Sequence, residues 1–158
     1  MTPMSSTLWY KANYVYQIVQ DFVIDISIKP EFDIGTEWVE LTREGRLTIF
    51  RGYAFDGPSR PAIHTNNFMR GAATHDALYG LLREGWLDPE CRDQADRELQ
   101  RICREDGMSA VRAYWVYTGV RFGGGPAASK AGRAKPPLRA PALNLYQPSP
   151  TWPDQQGD

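Results

Sequence analysis

The chain has 158 residues and a mass of 17.9 kDa, which suits one domain with a real core and is too short for two ordinary domains. Hydrophobic residues make up 42% of the chain and charged residues 23%, a composition typical of a folded globular protein rather than a disordered one. The net charge of −1 and the pI near 6.1 give no global electrostatic reason to expect a nucleic-acid partner.

Two further classes are disfavoured by local sequence. Residues 1–11 contain no basic region followed by an apolar run, so we expect no signal peptide. No segment approaches the ~20 apolar residues that span a bilayer, so we expect no transmembrane segment. Cys91 and Cys103 fall in one predicted helix, where they stand roughly 18 Å apart. A disulfide needs Cα atoms within about 7 Å, so both thiols are predicted to be free, as in a reducing cytoplasm.

The first third of the chain, residues 1–51, has a β pattern. The segment from Tyr16 to Ile28 carries β-branched and aromatic residues in partial alternation. Two further runs, at 38–41 and 47–50, flank a turn that contains Gly45, and this arrangement predicts a β-hairpin.

The segment that follows, residues 52–66, is predicted to be a loop. Its glycines and prolines, Gly52, Gly57, Pro58 and Pro61, forbid a helix and favour a tight, exposed turn. Loops of this kind present backbone carbonyls and amides, and they carry function more often than regular elements do.

Residues 67–123 have the periodicity of three helices. Their predicted ends are an N-cap at Asn66 or Asn67, stops at Gly85 and Gly107, and N-caps at Asp88 and Ser109. The sequence therefore predicts a single α+β domain over residues 1–125, with an N-terminal antiparallel β region and a three-helix unit. Residues 126–158 are rich in proline and lack periodicity, which predicts an extended tail.

The residues best suited to chemistry lie on the first two predicted helices. His75 and Tyr79 stand at positions i and i+4 and share one face, while Asp76 points about 100° around the helix. The short connection from Gly85 makes the second helix return antiparallel, which brings Asp96 within reach of the His75 ring. An imidazole oriented by a carboxylate is a general base suited to activating water.

Asp76 is then left for a second role. Next to the Gly-rich loop, its carboxylate and the backbone carbonyls make an all-oxygen site of the kind that Ca²⁺ prefers. Gly52, Asp56 and Gly57 are therefore its candidate partners in a calcium site. A cation there would polarise an ester carbonyl while water attacks.

Each of these residues also has a purely structural interpretation. His75 is often a hydrogen-bonded structural histidine in such a position, and Tyr79 a core ring with its hydroxyl at the edge. Asp96 alone reads as a helix-surface partner of Arg92 or Arg97. Arg121, at the end of the third helix, has a charge that favours the helix C-terminus, and we assign it no catalytic role.

Two resemblances add to this interpretation. The order of the loop 52–61, the helix segment 72–79, the pair Ala95-Asp96 and the segment 120–123 resembles a phage- and prophage-encoded family of uncharacterised proteins. That family pairs a G-F-x-x-D-G-A-S-x-P-R loop with an H-D-x-L-Y helix, and the match covers roughly residues 38 to 123. The resemblance implies synthesis in a host cytoplasm and incorporation in a phage particle.

The second resemblance is to phospholipases A2, above all the compact kind in parvovirus capsids, whose pattern is a G-P-G loop, H-D-x-x-Y and A-D-x-x-F. It implies that His75 is the general base, Asp96 its partner, Tyr79 a support and Asp76 a calcium ligand, with phospholipid as substrate. The chain departs from the pattern in two places, since it lacks the second glycine of the loop and has Leu99 in place of the phenylalanine.

Three alternatives remain beside the hydrolase. A transition-metal phosphohydrolase of the HD type would use His64 with the His75-Asp76 pair, although His64 precedes the helix more closely than that superfamily requires. A virion or tail component without activity would keep the helix for packing and bind other virion proteins, or copies of itself, through residues 126–158. The basic run of the tail, with no acidic residue, would contact nucleic acid or anionic lipid, or would serve as a solvated linker; it comprises Lys130, Arg133, Lys135 and Arg139.

Overall fold

The computed structural model describes residues 10–12, 16–55 and 65–124, in which strands precede helices. These residues form seven strands, paired antiparallel in two sheets, and then three helices, which confirms the predicted α+β class. The predicted tail of residues 126–158 lies outside the described residues. The elements are β1 (Tyr10–Ala12), β2 (Tyr16–Ile18), β3 (Phe22–Asp25), β4 (Ile34–Gly35), β5 (Val39–Leu41), β6 (Arg46–Ile49), β7 (Ala54–Phe55), α1 (Asn66–Glu84), α2 (Cys91–Glu105) and α3 (Ala110–Gly123).

The predicted hairpin is present as β5 and β6. It belongs to a four-stranded sheet in the order β3-β6-β5-β4, and Leu41 pairs with Leu47 next to the turn. Gly45 in that turn has φ 92°, a conformation that favours glycine. A Cβ at Gly45 would also lie 2.5 Å from the carbonyl oxygen of Ile26, so the turn and the neighbouring chain both require a residue without a side chain.

The segment from Tyr16 to Ile28 is two strands in two different sheets. β2 joins the three-stranded sheet β1-β2-β7, whereas β3 is the edge of the four-stranded sheet. Between them, Asp21 Oδ1 accepts a hydrogen bond of 2.8 Å from the Arg51 backbone N–H. The chain therefore crosses from one sheet to the other within a segment whose partial alternation of apolar and polar residues resembles that of a single strand.

The prediction of an exposed loop from residue 52 is wrong for residues 52–55. Ala54 and Phe55 form β7, which pairs with β2, and the whole stretch from Gly52 to Phe55 is buried. Gly52 has φ 97°, and a Cβ there would lie 2.8 Å from the Trp38 ring, so this glycine permits a close approach of the backbone to an aromatic ring. Residues 56–64 lie outside the described residues.

The helix ends follow the predictions with small shifts. α1 begins at Asn66 with Thr65 as its N-cap, so neither predicted asparagine caps it. Gly85 ends α1 in the left-handed conformation, with φ 78°. Asp88 Oδ1 accepts from the Glu90 backbone N–H at 2.8 Å, just before α2, and the Ser109 side chain caps α3 as predicted.

Close packing of α1 on α2 fixes the pair that carries the candidate site. Gly71 of α1 faces Leu99 and Cys103, and a Cβ at Gly71 would lie 2.9 Å from a side-chain atom of each. α2 in turn is bound to the sheet, because the buried Glu98 accepts a hydrogen bond of 3.0 Å from the Ser27 backbone N–H. Glu98 is neutralised by Arg101 at 2.6 Å.

The structure also bears on the predictions about the cysteines and about membrane-spanning helices. Both cysteines are free, with Cys103 buried and Cys91 partly buried. Burial raises the pKa of the Cys103 thiol to about 12, which makes it an unreactive core residue. Within the described ranges, no helix has the length and apolar character needed to cross a membrane.

Candidate active site

The two aromatic residues of the site are stacked along one face of α1. His75 and Tyr79 are one turn apart, and their ring centroids are separated by 4.0 Å with an interplanar angle of 37°. The His75 side chain is 13% exposed, so the imidazole is accessible at an edge while the tyrosine ring behind it is buried. The spacing of i and i+4 on a helix accounts for this contact.

Asp96 meets His75 from the facing helix. Its Oδ1 lies 2.8 Å from His75 Nε2, and its side chain has no exposed surface. The predicted reach of Asp96 to the imidazole is therefore present, and the interpretation of Asp96 as a surface residue is wrong. Arg97, one of the surface partners considered for it, pairs with Asp93 at 2.7 Å instead.

Tyr79 donates a second hydrogen bond to the same carboxylate oxygen. The Tyr79 hydroxyl lies 2.6 Å from Asp96 Oδ1. Burial and then this hydrogen bond raise the pKa of Tyr79 to about 12, because the carboxylate favours the protonated donor. Tyr79 is therefore a hydroxyl donor throughout the neutral range, and it supports the carboxylate that orients His75.

Two arginines surround this cluster, Arg92 and Arg121. The sequence suggested Arg92 as a surface partner of Asp96 and gave Arg121 no role beside it. Arg92 Nε donates to the Tyr79 hydroxyl at 3.3 Å, a contact that raises the pKa of Arg92. Arg92 Nη2 also donates to the carbonyl oxygens of Val120 and Arg121. A single guanidinium thus joins Tyr79 to the last turn of α3.

Arg121 approaches the second oxygen of the buried carboxylate. Its Nη1 lies 3.9 Å from Asp96 Oδ2, an atom that has no hydrogen-bond partner among the described residues. Arg121 Nε also lies 3.5 Å from Asp93 Oδ1. Arg121 therefore places a positive charge near the buried carboxylate, in addition to its position at the helix end. The sequence feature that could have pointed to Arg121 is its place in segment 120–123, which is part of the resemblance to the phage-encoded family.

Asp76 lies beside a different tyrosine. The Tyr53 hydroxyl donates to Asp76 Oδ2 at 2.5 Å, and Tyr53 directly follows Gly52 in the segment that was predicted to be a metal-binding loop. The carbonyl oxygen of Gly52 accepts a hydrogen bond of 3.1 Å from Gln17 Nε2. Sequence reasoning missed Tyr53 because a buried tyrosine at the edge of a strand carries no distinctive local pattern.

The predicted calcium ligands divide between described and undescribed residues. Asp76 and Gly52 are described, whereas Asp56 and Gly57 lie in residues 56–64. Ca²⁺ takes six to eight oxygen ligands, and no group of three or more metal-binding side chains occurs in the part of the chain that the structure describes. The described residues therefore supply one carboxylate and do not make a calcium site by themselves. His64, the additional ligand of the HD-type alternative, also lies outside them.

What the described cluster can do is determined by which imidazole nitrogen it engages. With the Nε2 proton directed at Asp96, the other ring nitrogen, Nδ1, carries the lone pair, and no described residue hydrogen-bonds to it. This is the arrangement of a base with an orienting carboxylate. The tautomer of His75 with its proton on Nε2 follows from the contact with Asp96, because a carboxylate accepts this hydrogen bond.

Comparisons of the chain with protein-family models, with curated proteins and with solved structures found no match. The candidate function is therefore inferred from the geometry of the His75, Tyr79 and Asp96 cluster and from the residues that carry the two resemblances.

Proposed function

We propose that the chain is a hydrolase of lipid esters of the phospholipase A2 type, in which His75 is the general base. The observation that supports this most directly is the 2.8 Å contact between His75 Nε2 and the fully buried carboxylate of Asp96. A carboxylate with no exposed surface is costly to bury. A role in orienting the His75 imidazole would explain why this one is buried.

In the proposed reaction, His75 Nδ1 takes a proton from a water molecule, and the water oxygen attacks the ester carbonyl carbon. The imidazolium that forms is stabilised by Asp96 through Nε2. When the tetrahedral intermediate collapses, the bond to the alcohol oxygen breaks and that oxygen takes the proton from Nδ1. The products are a fatty acid and an alcohol, and His75 returns to its neutral form.

Tyr79 and the two arginines are positioning residues in this proposal. Tyr79 donates a hydrogen bond to Asp96 Oδ1 and packs against the imidazole ring. Arg92 and Arg121 keep the surroundings of the carboxylate positive.

Calcium is part of the proposal as the group that Asp76 would hold with carbonyl oxygens of residues 52–57. When bound, it would supply electrostatic stabilisation of the developing oxyanion. The hydrogen bond from the Tyr53 hydroxyl to Oδ2 would orient the Asp76 carboxylate for this role. The steps assigned to His75 and Asp96 do not depend on it.

The test is release of fatty acid from vesicles of mixed phosphatidylcholine and phosphatidylglycerol, with and without Ca²⁺. The variants are His75→Ala and Asp76→Asn, and His64→Gln is the control because His64 is the chain's other histidine. We expect calcium-dependent release that is lost in both variants and kept in the control. No release from a folded native chain would contradict the proposal and favour a virion or tail component without activity.

A further inference from the structure

α3 is the helix that the domain buries least. Of its fourteen residues, Ala113 is the buried one. Four large apolar side chains on it are exposed: Val111 at 70%, Tyr114 at 57%, Trp115 at 66% and Phe122 at 85%. We call these four residues the outer face of α3.

The outer face is a stripe rather than a scatter of residues. Val111, Trp115 and Phe122 occupy positions i, i+4 and i+11, which a helix aligns on one side over roughly 16 Å. Tyr114 adjoins the stripe, and its ring contacts that of Trp115 edge-on with centroids 6.1 Å apart. Contiguous apolar surface of this kind marks an interaction site more often than an accident of packing.

The opposite side of α3 holds the helix in a fixed orientation. Tyr117 donates to Asp93 Oδ1 at 2.9 Å, and Val116 and Val120 pack against the core. Arg92 binds the carbonyls of the last turn. These contacts on the inner side fix the orientation of α3, so the outer face is directed away from the domain although its own side chains are exposed.

Charge indicates what kind of surface would cover the outer face. Between Asp106 and Asp154 the sequence has no acidic residue, although the chain as a whole carries a net charge of −1. Six basic residues fall in this stretch: Arg112, Arg121, Lys130, Arg133, Lys135 and Arg139. α3 itself and the sequence that directly follows it thus form one acid-free, basic segment.

We propose that the outer face of α3 binds the surface of an anionic phospholipid bilayer. Aromatic and aliphatic side chains on one side of a helix enter the boundary between head groups and acyl chains. Adjacent basic residues add attraction to anionic head groups, and two such signals together give binding that neither gives alone. A basic segment alone would fit any polyanion, but the exposed apolar residues Val111 and Phe122 on the same side of the helix suit contact with acyl chains.

This inference concerns binding and does not require hydrolysis. Arg121 and Arg92 nevertheless join the end of α3 to the site, since they contact Asp96 and Tyr79. For the proposed hydrolase, the outer face would concentrate the enzyme on its substrate.

The experiment is vesicle flotation of the full chain with ether-linked lipids, which contain no ester to hydrolyse. The vesicles are phosphatidylcholine alone or phosphatidylcholine with phosphatidylglycerol, at low and high salt. We expect the native chain to float with the anionic vesicles at low salt, and less with neutral vesicles or at high salt. The His75→Ala variant should float as the native chain does, which separates binding from catalysis.

A matched pair of double variants localises the surface. Trp115→Ser with Phe122→Ser removes one Trp and one Phe from the outer face. Trp86→Ser with Phe32→Ser removes the same two residue types from other exposed positions, which are 53% and 71% exposed. We expect the first double variant to bind anionic vesicles at least about tenfold more weakly and the second to bind like the native chain, with both folded by circular dichroism.

Four results would overturn the proposal. They are a native chain that does not float, equal losses in the two double variants, binding to a single-stranded oligonucleotide without binding to vesicles, and a dimer that the first double variant dissociates while vesicles are ignored. Failure here with continued hydrolysis of a soluble ester would leave the proposed hydrolase intact. Flotation of an inactive native chain would remove the hydrolase and keep the membrane surface.

Discussion

Asp96 Oδ1 accepts hydrogen bonds from two residues on one face of α1, the His75 imidazole at 2.8 Å and the Tyr79 hydroxyl at 2.6 Å. The two donors stand one helical turn apart, so a single carboxylate on the facing helix can reach both. This relationship makes α1 and α2 one unit and ties the orientation of the imidazole to the packing of the helix pair.

The Asp96→Asn variant tests the carboxylate while keeping its size. The amide has no charge with which to stabilise an imidazolium, and it no longer selects the tautomer with the proton on Nε2. We expect kcat for ester hydrolysis to fall by roughly 10²- to 10⁴-fold with little change in KM.

Asp93→Asn is the control for that change. Asp93 lies one turn earlier on α2 and contacts Arg97, Tyr117 and Arg121, and it has no hydrogen bond to His75 or Tyr79 among the described residues. This variant should retain most of the native rate. Native kcat in Asp96→Asn would contradict the assigned role of Asp96.

The Tyr79→Phe variant tests the second donor through the pH dependence of stability. The pKa of Tyr79 in the folded state, about 12, is above the ordinary tyrosine pKa of 10.0. The stabilisation is therefore fully present below pH 10 and is lost as pH rises toward 12, because the unfolded state releases the proton first. Loss of the hydrogen bond should also lower the free energy of unfolding at neutral pH by about 1–2 kcal/mol.

Urea unfolding of native and Tyr79→Phe chains across this alkaline range measures the effect. The difference between the two free energies should shrink as pH rises, whereas Tyr114→Phe, at an exposed position, should track the native chain. A difference that stays constant with pH would contradict the shifted pKa.

Gly71→Ala tests the close contact between α1 and α2. Alanine is the better helix former by about 1 kcal/mol, but its Cβ would lie 2.9 Å from side-chain atoms of Leu99 and Cys103 and 3.2 Å from the Leu99 carbonyl oxygen. We expect a net loss of about 1–3 kcal/mol in the free energy of unfolding.

Gly119→Ala supplies the matched comparison on α3, since nothing lies within 4 Å of the added Cβ. It should stabilise the chain by up to about 1 kcal/mol through helix propensity alone. If Gly71→Ala were as stable as Gly119→Ala in urea, the helix pair would be less tightly packed than described.

Arg92→Met tests the link between the site and α3. Methionine keeps the apolar stem but removes the donors to Tyr79 and to the carbonyls of residues 120 and 121. We expect the free energy of unfolding to fall by about 1–3 kcal/mol. Arg97→Met, which removes an exposed arginine from the same helix, should lower the free energy of unfolding less than Arg92→Met does.

The helical half of the site was predictable from spacing alone. The i, i+4 relation of His75 and Tyr79 and the short return after Gly85 are local features, and both limit where Asp96 can lie. Its complete burial was not predictable, because some charged residues of α2 form surface pairs whereas Asp96 and Glu98 are buried. Only the facing helix distinguishes Asp96 from Asp93.

The β half and the outer face of α3 show where sequence patterns are ambiguous. From Tyr16 to Ile28 apolar and polar residues partly alternate, so the polar residues Gln20 and Asp21 at the crossing between sheets look like part of one strand. The glycines at the start of the 52–66 segment suggested a turn, yet tertiary contacts bury residues 52–55 in a sheet. α3 is apolar on most sides, and periodicity could not tell which of those sides the domain covers.

The most direct test of the account is the tautomer of His75, measured from the ¹⁵N chemical shifts of its ring in mildly alkaline buffer. The chain has two histidines, so His64→Gln assigns the spectrum. We predict a His75 ring protonated on Nε2 with a bare Nδ1, and a shift toward the mixed tautomers of a free imidazole in Asp96→Asn. A native His75 protonated on Nδ1, or one whose tautomer ignores Asp96, would contradict the base and orienting carboxylate on which the proposed function depends.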